Sequence, residues 1–461
     1  MFAFRPESEH FSFGTRSGNR TRTAVAGHRI LSPACLPIPP SEQPYCALLR
    51  VQKYRFYFEN ASYSFCACLY SPNFLLNLSK FYPNMKKILL QLAVVAVCCG
   101  CGQEAVQTQQ EEPAEPQKIE NPMVDSLSWA ATPVKDQART GTCWAYGGVS
   151  MLESEVMRRG GEELDLSEMW VARNAWKDKA VKYVRLNGRM NLWQGGELHD
   201  VLYVVDRYGI VPQSVYEGNS SDGQYDHREL CNAMVDCAKK IVEEKAYKNE
   251  GWQDEFDKIL DQYLGVRPET FEVDGVEYTP KSYAEKLGLS GDDFVYLTSF
   301  AHHPYYEEFA IEIPDNWLGE KSINLPLDEL IEVMYGALKA GYTIGLGSDI
   351  SEYSYSGGVC VLPTDENYVK GTTLTDEIVV DEALRMKWFD DRTTVDDHVM
   401  HIVGLSRDPQ GKCYFKVKDS GGVSRNFDGY CYISETFMRG KVIEIAVNRA
   451  AVDPALLARC K

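Results

Sequence analysis

The sequence predicts an α+β protein of two lobes, helical in its N-terminal half and β-rich in its C-terminal half, on three observations. After Cys143 the apolar residues Ala145, Val149, Leu152 and Val156 recur at helical spacing. In the last quarter, residues 398–405 and 414–418 read as largely apolar strands. The 461 residues, 44% hydrophobic and 11% aromatic, supply enough apolar material for a substantial core. Residues 327–338 read as an amphipathic helix and 342–348 as a strand, so the β-rich half begins there. The net charge of −18 argues against nucleic acid as a partner, because phosphate binding needs a basic face.

The charge is unevenly spread. Residues 1–84 carry nine Lys or Arg against four Asp or Glu, whereas the remainder holds 39 against 62. At Met85-Lys86-Lys87 a short basic region opens an apolar run to Val97, too brief to span a bilayer, and Cys98-Cys99-Gly100-Cys101 follows. That pattern is an export signal. Gly100-Cys101 resembles a bacterial lipobox, which makes Cys101 the expected lipid anchor of an exported, membrane-held protein; a plain cleaved signal is the alternative. An export signal has no use behind 84 residues, so 1–84 is expected to be an upstream start-codon extension. Residues 102–123, rich in Gln, Glu and Pro, read as a flexible tether. The folded domain is then expected over 124–450, with a tail at 451–461. Seven of the 14 cysteines lie at or before position 101; the other seven lack C-x-x-C spacing and read as free thiols rather than a disulfide or zinc framework.

The chemistry concentrates in Pro133-Val134-Lys135-Asp136-Gln137-Ala138-Arg139-Thr140-Gly141-Thr142-Cys143-Trp144. A cysteine in the first turn of a helix feels the positive end of the dipole, which favours its reactive thiolate. Gly141 is expected to let the backbone approach a substrate closely. Gln137 can join the Cys143 backbone N–H to hold an oxyanion during acyl transfer. A buried structural cysteine beside an incidental Gln is the bland alternative. A thiolate needs a base, and Asp396-Asp397-His398-Val399-Met400-His401 places two histidines on a strand, three positions apart and so facing opposite sides. His302-His303 with Glu307 could bind a metal, but Pro304 interrupts the helix that would align them, so no metal and no cofactor are expected.

Gln137-x5-Cys143-Trp144 at a helix start resembles the papain superfamily, and within it the bleomycin hydrolase and aminopeptidase C branch. Leu166-Ser167-Glu168, Gln194-Gly195-Gly196, Tyr208-Gly209-Ile210-Val211-Pro212 and Val215-Tyr216 follow in that family's order, and the resemblance runs over roughly 122–447. It implies a papain-like two-lobe fold with a helical insert at about 234–325, and peptide substrates cleaved through a Cys143 thioester. It gives His398 the acid–base role and leaves His401 structural. Gly195, Gly196 and Trp144 become substrate-binding residues. A hexameric ring is a further implication. Two departures stand out: Asp419 occupies the place of the family's Asn, and Gly421 that of its Trp. Asp419 can still accept the imidazole N–H, but without the Trp the bond is expected to be wetter. Three functions follow: a thiol aminopeptidase (endopeptidase action staying open), a weakened or inactive peptide-binding lipoprotein, and an acyltransferase using the same thioester.

Overall fold

The computed structural model describes residues 120–219, 224–373 and 376–461. The expected leader, export signal, Cys101 anchor and most of the tether lie outside the described residues. Among the described residues no helix is long and apolar enough to cross a membrane. At the end of the expected tether, Met123 is buried and the Asn121 amide donates to the Tyr432 hydroxyl.

The chain opens with strand β1 (Val124–Ser128) and then builds helices α1 (Cys143–Arg158), α2 (Glu168–Arg185), α3 (Leu198–Tyr208), α4 (Arg228–Glu243) and α5 (Asp254–Leu264). A hairpin of β2 (Phe271–Val273) and β3 (Val276–Tyr278) precedes α6 (Pro280–Leu287). Strands β4 (Phe294–Thr298), β5 (Glu308–Phe309) and β6 (Ser322–Asn324) lead into α7 (Leu327–Lys339), β7 (Ile344–Ser348), β8 (Val359–Cys360) and α8 (Glu382–Asp390). Then come β9 (His398–Arg407), β10 (Cys413–Lys418), β11 (Tyr430–Ser434), α9 (Glu435–Lys441), β12 (Val442–Asn448) and α10 (Pro454–Leu457). Of the stretch expected as a helical insert, the first part is helical, whereas β4, β5 and β6 form one edge of the main sheet.

That sheet runs β5-β6-β4-β12-β7-β9-β10-β11-β8, with β1 added to β9. The ten residues of β9 serve two partners along one edge: 398–402 pair with β7, and 404–407 with β1. Pairing Ser348 with His398 fixes the first residue of β9 at the end of the ladder, where its side chain faces the helical lobe. The apolar side chains divide accordingly. One cluster joins α1 to α6, and another lies between the sheet and helices α7 and α9.

Helix α1 is enclosed on all sides, with every residue from Cys143 to Val156 buried. Such enclosure tolerates polar side chains only when each is satisfied. Glu153 accepts from the Thr132 hydroxyl at 2.5 Å and from the Leu166 N–H at 2.8 Å, and Ser154 donates to the Ala130 carbonyl at 2.8 Å. These bonds lash the segment before the helix to the helix itself. The α+β two-lobe arrangement is the expected one.

Candidate active site

The approach to α1 is held from both lobes. Lys135 sits between Asp165 at 2.5 Å and Glu168 at 2.6 Å. The Gln137 N–H donates to the Ser420 carbonyl at 2.9 Å, tying the segment to the turn after β10. Ala138 adopts φ +51°, a left-handed turn supported by its N–H on the Asp136 carboxylate at 2.7 Å. The Gln137 side chain is fixed at both ends. Its Oε1 accepts from the Ser420 hydroxyl at 2.5 Å, and its Nε2 donates to the Thr140 carbonyl at 2.6 Å. Because an amide nitrogen carries two hydrogens, a second one is left for a ligand beside Cys143. Gly141 differs from expectation. A Cβ there would lie 2.9 Å from the Gln194 Cβ, and its N–H donates to Gln194 Oε1 at 2.7 Å. Its small size serves the packing of Gln194, not the approach of a substrate.

Cys143 is the first residue of α1 and is 9% exposed. The His398 ring lies beside its sulfur, close enough for each to act on the other's charge. The opposite face of that ring is held by Asp419, with Nε2 to Oδ1 at 2.8 Å. Burial alone would discharge the imidazole. The negative charge of a Cys143 thiolate, the Asp419 hydrogen bond and the Asp419 charge outweigh it and raise His398 to about 10. Asp419 moves the other way. Burial works against its ionisation, but His398, the Tyr355 hydroxyl and the Ser420 N–H lower it to about 2.

The carboxylate is therefore committed to charge and the ring to cation. A thiol beside such an imidazole is a nucleophile with its proton-transfer partner in place.

Gly421 in place of an aromatic residue does not leave the His398–Asp419 bond wet. The Asp419 side chain is 2% exposed. Tyr355 donates to its Oδ2 at 2.7 Å and packs edge-on to the His398 ring with centroids 6.2 Å apart. Arg425 fills the space over Gly421, where a Cβ would meet its Cδ at 2.5 Å. Beside them a groove of about 310 Å³ is lined by Gln137, His398, Asp419, Gly421 and Arg425, among others. Tyr355 carried no sequence signal, because it lies on a short turn far along the chain from both partners.

Three expectations need correction or refinement. Trp144 is 0% exposed, with its Nε1 on the Gln194 carbonyl at 3.0 Å. It underlies the glycine pair instead of touching substrate, since a Cβ on Gly196 would lie 2.9 Å from its ring. Gly195 is half-open, its carbonyl held by Lys179 at 2.7 Å, and the Asp315 carboxylate rests against it. His401 is fully buried behind α1, with Nδ1 2.9 Å from the Ser150 hydroxyl, in keeping with a structural role. Elsewhere, Glu312 rather than Glu307 approaches the exposed pair His302 and His303, at 3.1 and 2.8 Å. These three donors lie close enough together to hold a metal ion.

A thiol at a helix start, an imidazole against it and a carboxylate behind the imidazole define the class of thiol acyl-transfer enzymes. More particularly, the chain belongs to the Peptidase C1-like family, which matches residues 172–461. Aminopeptidase C of Lactococcus lactis subsp. cremoris is 25% identical over 374 residues, 72% of this chain and 84% of that protein. Bleomycin hydrolase of Gallus gallus is 24% identical over 381 residues, 71% of this chain and 82% of that protein. The crystal structure of PepW from Lactobacillus rhamnosis HN001 superposes with a TM-score of 0.57 at 21% identity, covering 73% of this chain and 84% of that one. The fold is thus papain-like and the protein a cysteine peptidase.

Proposed function

We propose that this cysteine peptidase is an aminopeptidase with Cys143 as nucleophile and His398 as acid–base, on the observation that His398 stands between the Cys143 sulfur and Asp419. The thiolate attacks the carbonyl carbon of the substrate's first residue. The displaced electron pair moves to oxygen, which the Cys143 N–H and Gln137 Nε2 receive. As the C–N bond breaks, the His398 imidazolium gives its proton to the departing amine. His398 then takes a proton from water, hydroxide attacks the thioester, and the thiolate returns. Asp419 keeps the ring oriented throughout, and its charge makes it at least as good an orienter as an amide. The intact geometry disfavours the inactive peptide-binding reading.

Wild type and Cys143→Ala, starting at Gln103, are compared on fluorogenic aminoacyl amides, free and N-blocked, under reducing conditions. Turnover of free-amine substrates alone, lost in the variant, is expected. Cleavage of blocked substrates at equal rate would make the protein an endopeptidase, and silence on all of them would return the peptide-binding reading. The export signal at 85–101 further supports a Cys101-anchored lipoprotein; failure of expressing cells to incorporate labelled palmitate, with Cys101→Ala as reference, would sink that reading. The family resemblance supports a hexamer, which sedentation-free mass measurement by light scattering tests directly.

A further inference from the structure

On the glycine-pair side of the cleft the structure gathers carboxylates. Glu197 follows Gly196 directly at the N-terminus of α3, and its side chain faces Asp396, two residues before His398. Asp315 lies against Gly195 and near Asp396. Behind them stand Asp200 and Glu444.

Most of these groups have donors. Asp200 accepts from Trp317 Nε1 at 2.7 Å, Asp315 from Asn191 at 2.7 Å with Lys179 at 3.5 Å, and Glu444 Oε1 faces His199 at 2.9 Å. Glu197 is the exception. It is 2% exposed, and neither carboxylate oxygen has a donor. A buried carboxylate left so is costly, because nothing replaces the hydrogen bonds it gave up on leaving water.

Burial, then the Asp396 charge, pushes Glu197 well above the carboxylate range, and burial lifts Asp396 to about 7. A cation set between the two carboxylates would meet both at once. A metal ion fits poorly, because among the described residues the convergence of three donors it needs occurs at His302, His303 and Glu312. An ammonium group suits better, since it offers three hydrogens to separate carboxylates.

We propose that Asp396, backed by Glu197 and flanked by Asp315, is the subsite that receives a cationic nitrogen of the peptide substrate. Resting on the aminopeptidase reading, this nitrogen is the α-ammonium of the residue whose carbonyl Cys143 attacks. A lysine or arginine side chain one residue earlier in a longer substrate offers the same chemistry. The chain's own C-terminal segment is engaged elsewhere: the Lys461 N–H donates to the Tyr306 carbonyl, and Arg459 pairs with Glu329.

The test uses the full chain with Glu197→Gln and Asp396→Asn. The readouts are KM and kcat on free-amine and N-blocked amides, the Ki of leucinal and N-acetyl-leucinal, and Tm. Leucinal adds to the Cys143 sulfur as a thiohemiacetal, the oxygen taking the His398 proton, so it reads binding without turnover. Expected are a tenfold or greater rise in KM and Ki for free-amine ligands, kcat within about threefold, and an unchanged or higher Tm. A purely structural Glu197 would instead lower Tm and leave the free-to-blocked Ki ratio alone. Weakening confined to N-blocked substrates with Lys or Arg before the scissile residue would keep the subsite and assign it the side chain. Ratios unchanged for both substrate classes would overturn the proposal. Absence of turnover together with a leucinal Ki that the variants weaken would remove the aminopeptidase reading alone.

Discussion

Asp419 marks the residue-scale difference between this site and the amide its relatives' motif leads one to expect. A carboxylate 2.8 Å from His398 Nε2 does more than aim the ring; its charge helps hold the imidazolium to about pH 10. Asp419→Asn keeps the shape and removes the charge. The alkaline limb of Cys143 alkylation by iodoacetamide, and of kcat/KM, is therefore expected to move down by about one pH unit or more. A limb that stays near 10 would mean that the thiolate alone sets it. The folded-state pKa of His398 lies above its unfolded value, so its contribution to stability is full below about pH 6.5 and fades as pH rises through about 10. Tyr355→Phe removes the hydroxyl that meets the second Asp419 oxygen at 2.7 Å. Loss of one hydrogen bond to a buried charge is worth ~1.4 kcal/mol, so about a tenfold drop in kcat/KM is expected, read by steady-state kinetics with Cys143 labelling as the control for site integrity.

At the scale of elements, the site depends on how closely α1 lies against its neighbours. Gly147 abuts the Met400 backbone of β9, with a Cβ position 3.2 Å away, and Gly148 abuts Val201 of α3, with 2.5 Å to its Cγ2. Two adjacent glycines in a helix cost intrinsic helix stability, and the close approach on both faces is what they make room for. Gly148→Ala is expected to lower stability by about 1–3 kcal/mol through overpacking, and Val201→Ala in the same chain to return part of it. Urea denaturation reads both; equal loss in single and double variants would locate the strain elsewhere. Helix α2 is pinned in a comparable way by its N-cap, Ser167, which accepts from the Trp170 N–H at 2.9 Å and donates to the Tyr216 carbonyl at 2.6 Å.

Over the whole molecule, the number of buried acids sets an unusual pH dependence. Burial raises Glu168, Asp200 and Asp396 to about 7 and pushes Glu197 well above the ordinary carboxylate range. For an acid whose folded pKa lies above its unfolded one, the stability gained is present at low pH and lost as pH rises through the folded value. Two buried histidines act in the opposite sense: burial lowers His227 to about 4 and His401 well below the ordinary histidine value, so their contribution fades as pH falls below the unfolded value. Tm is thus expected to rise by several degrees as pH falls from about 8.5 toward 5, the four acids outweighing the two histidines. A Tm that increases steadily toward pH 8.5 would contradict it. Removing residues 459–461, whose bonds go to Tyr306 and Glu329, is expected to leave the preference for free-amine substrates intact.

What the sequence by itself determined is local. The spacing of Gln137, Cys143 and Trp144, the periodicity behind them, and an apolar strand opening at His398 depend on residues near one another in the chain. Those suffice for the two lobes, the nucleophile helix, the imidazole and the carboxylate at 419. Only the tertiary structure decided what surrounds them. Tyr355 reaches Asp419 across 64 residues, and Asp315 comes to rest on Gly195 across 120. Trp144 and Gly141 turned from substrate contacts into packing residues, because their partner Gln194 arrives from a different helix connection. Glu197 and Asp396 stood in motifs already singled out, beside Gly196 and His398. Their meaning emerged only when folding set one buried carboxylate before the other, where charge must be matched by a partner.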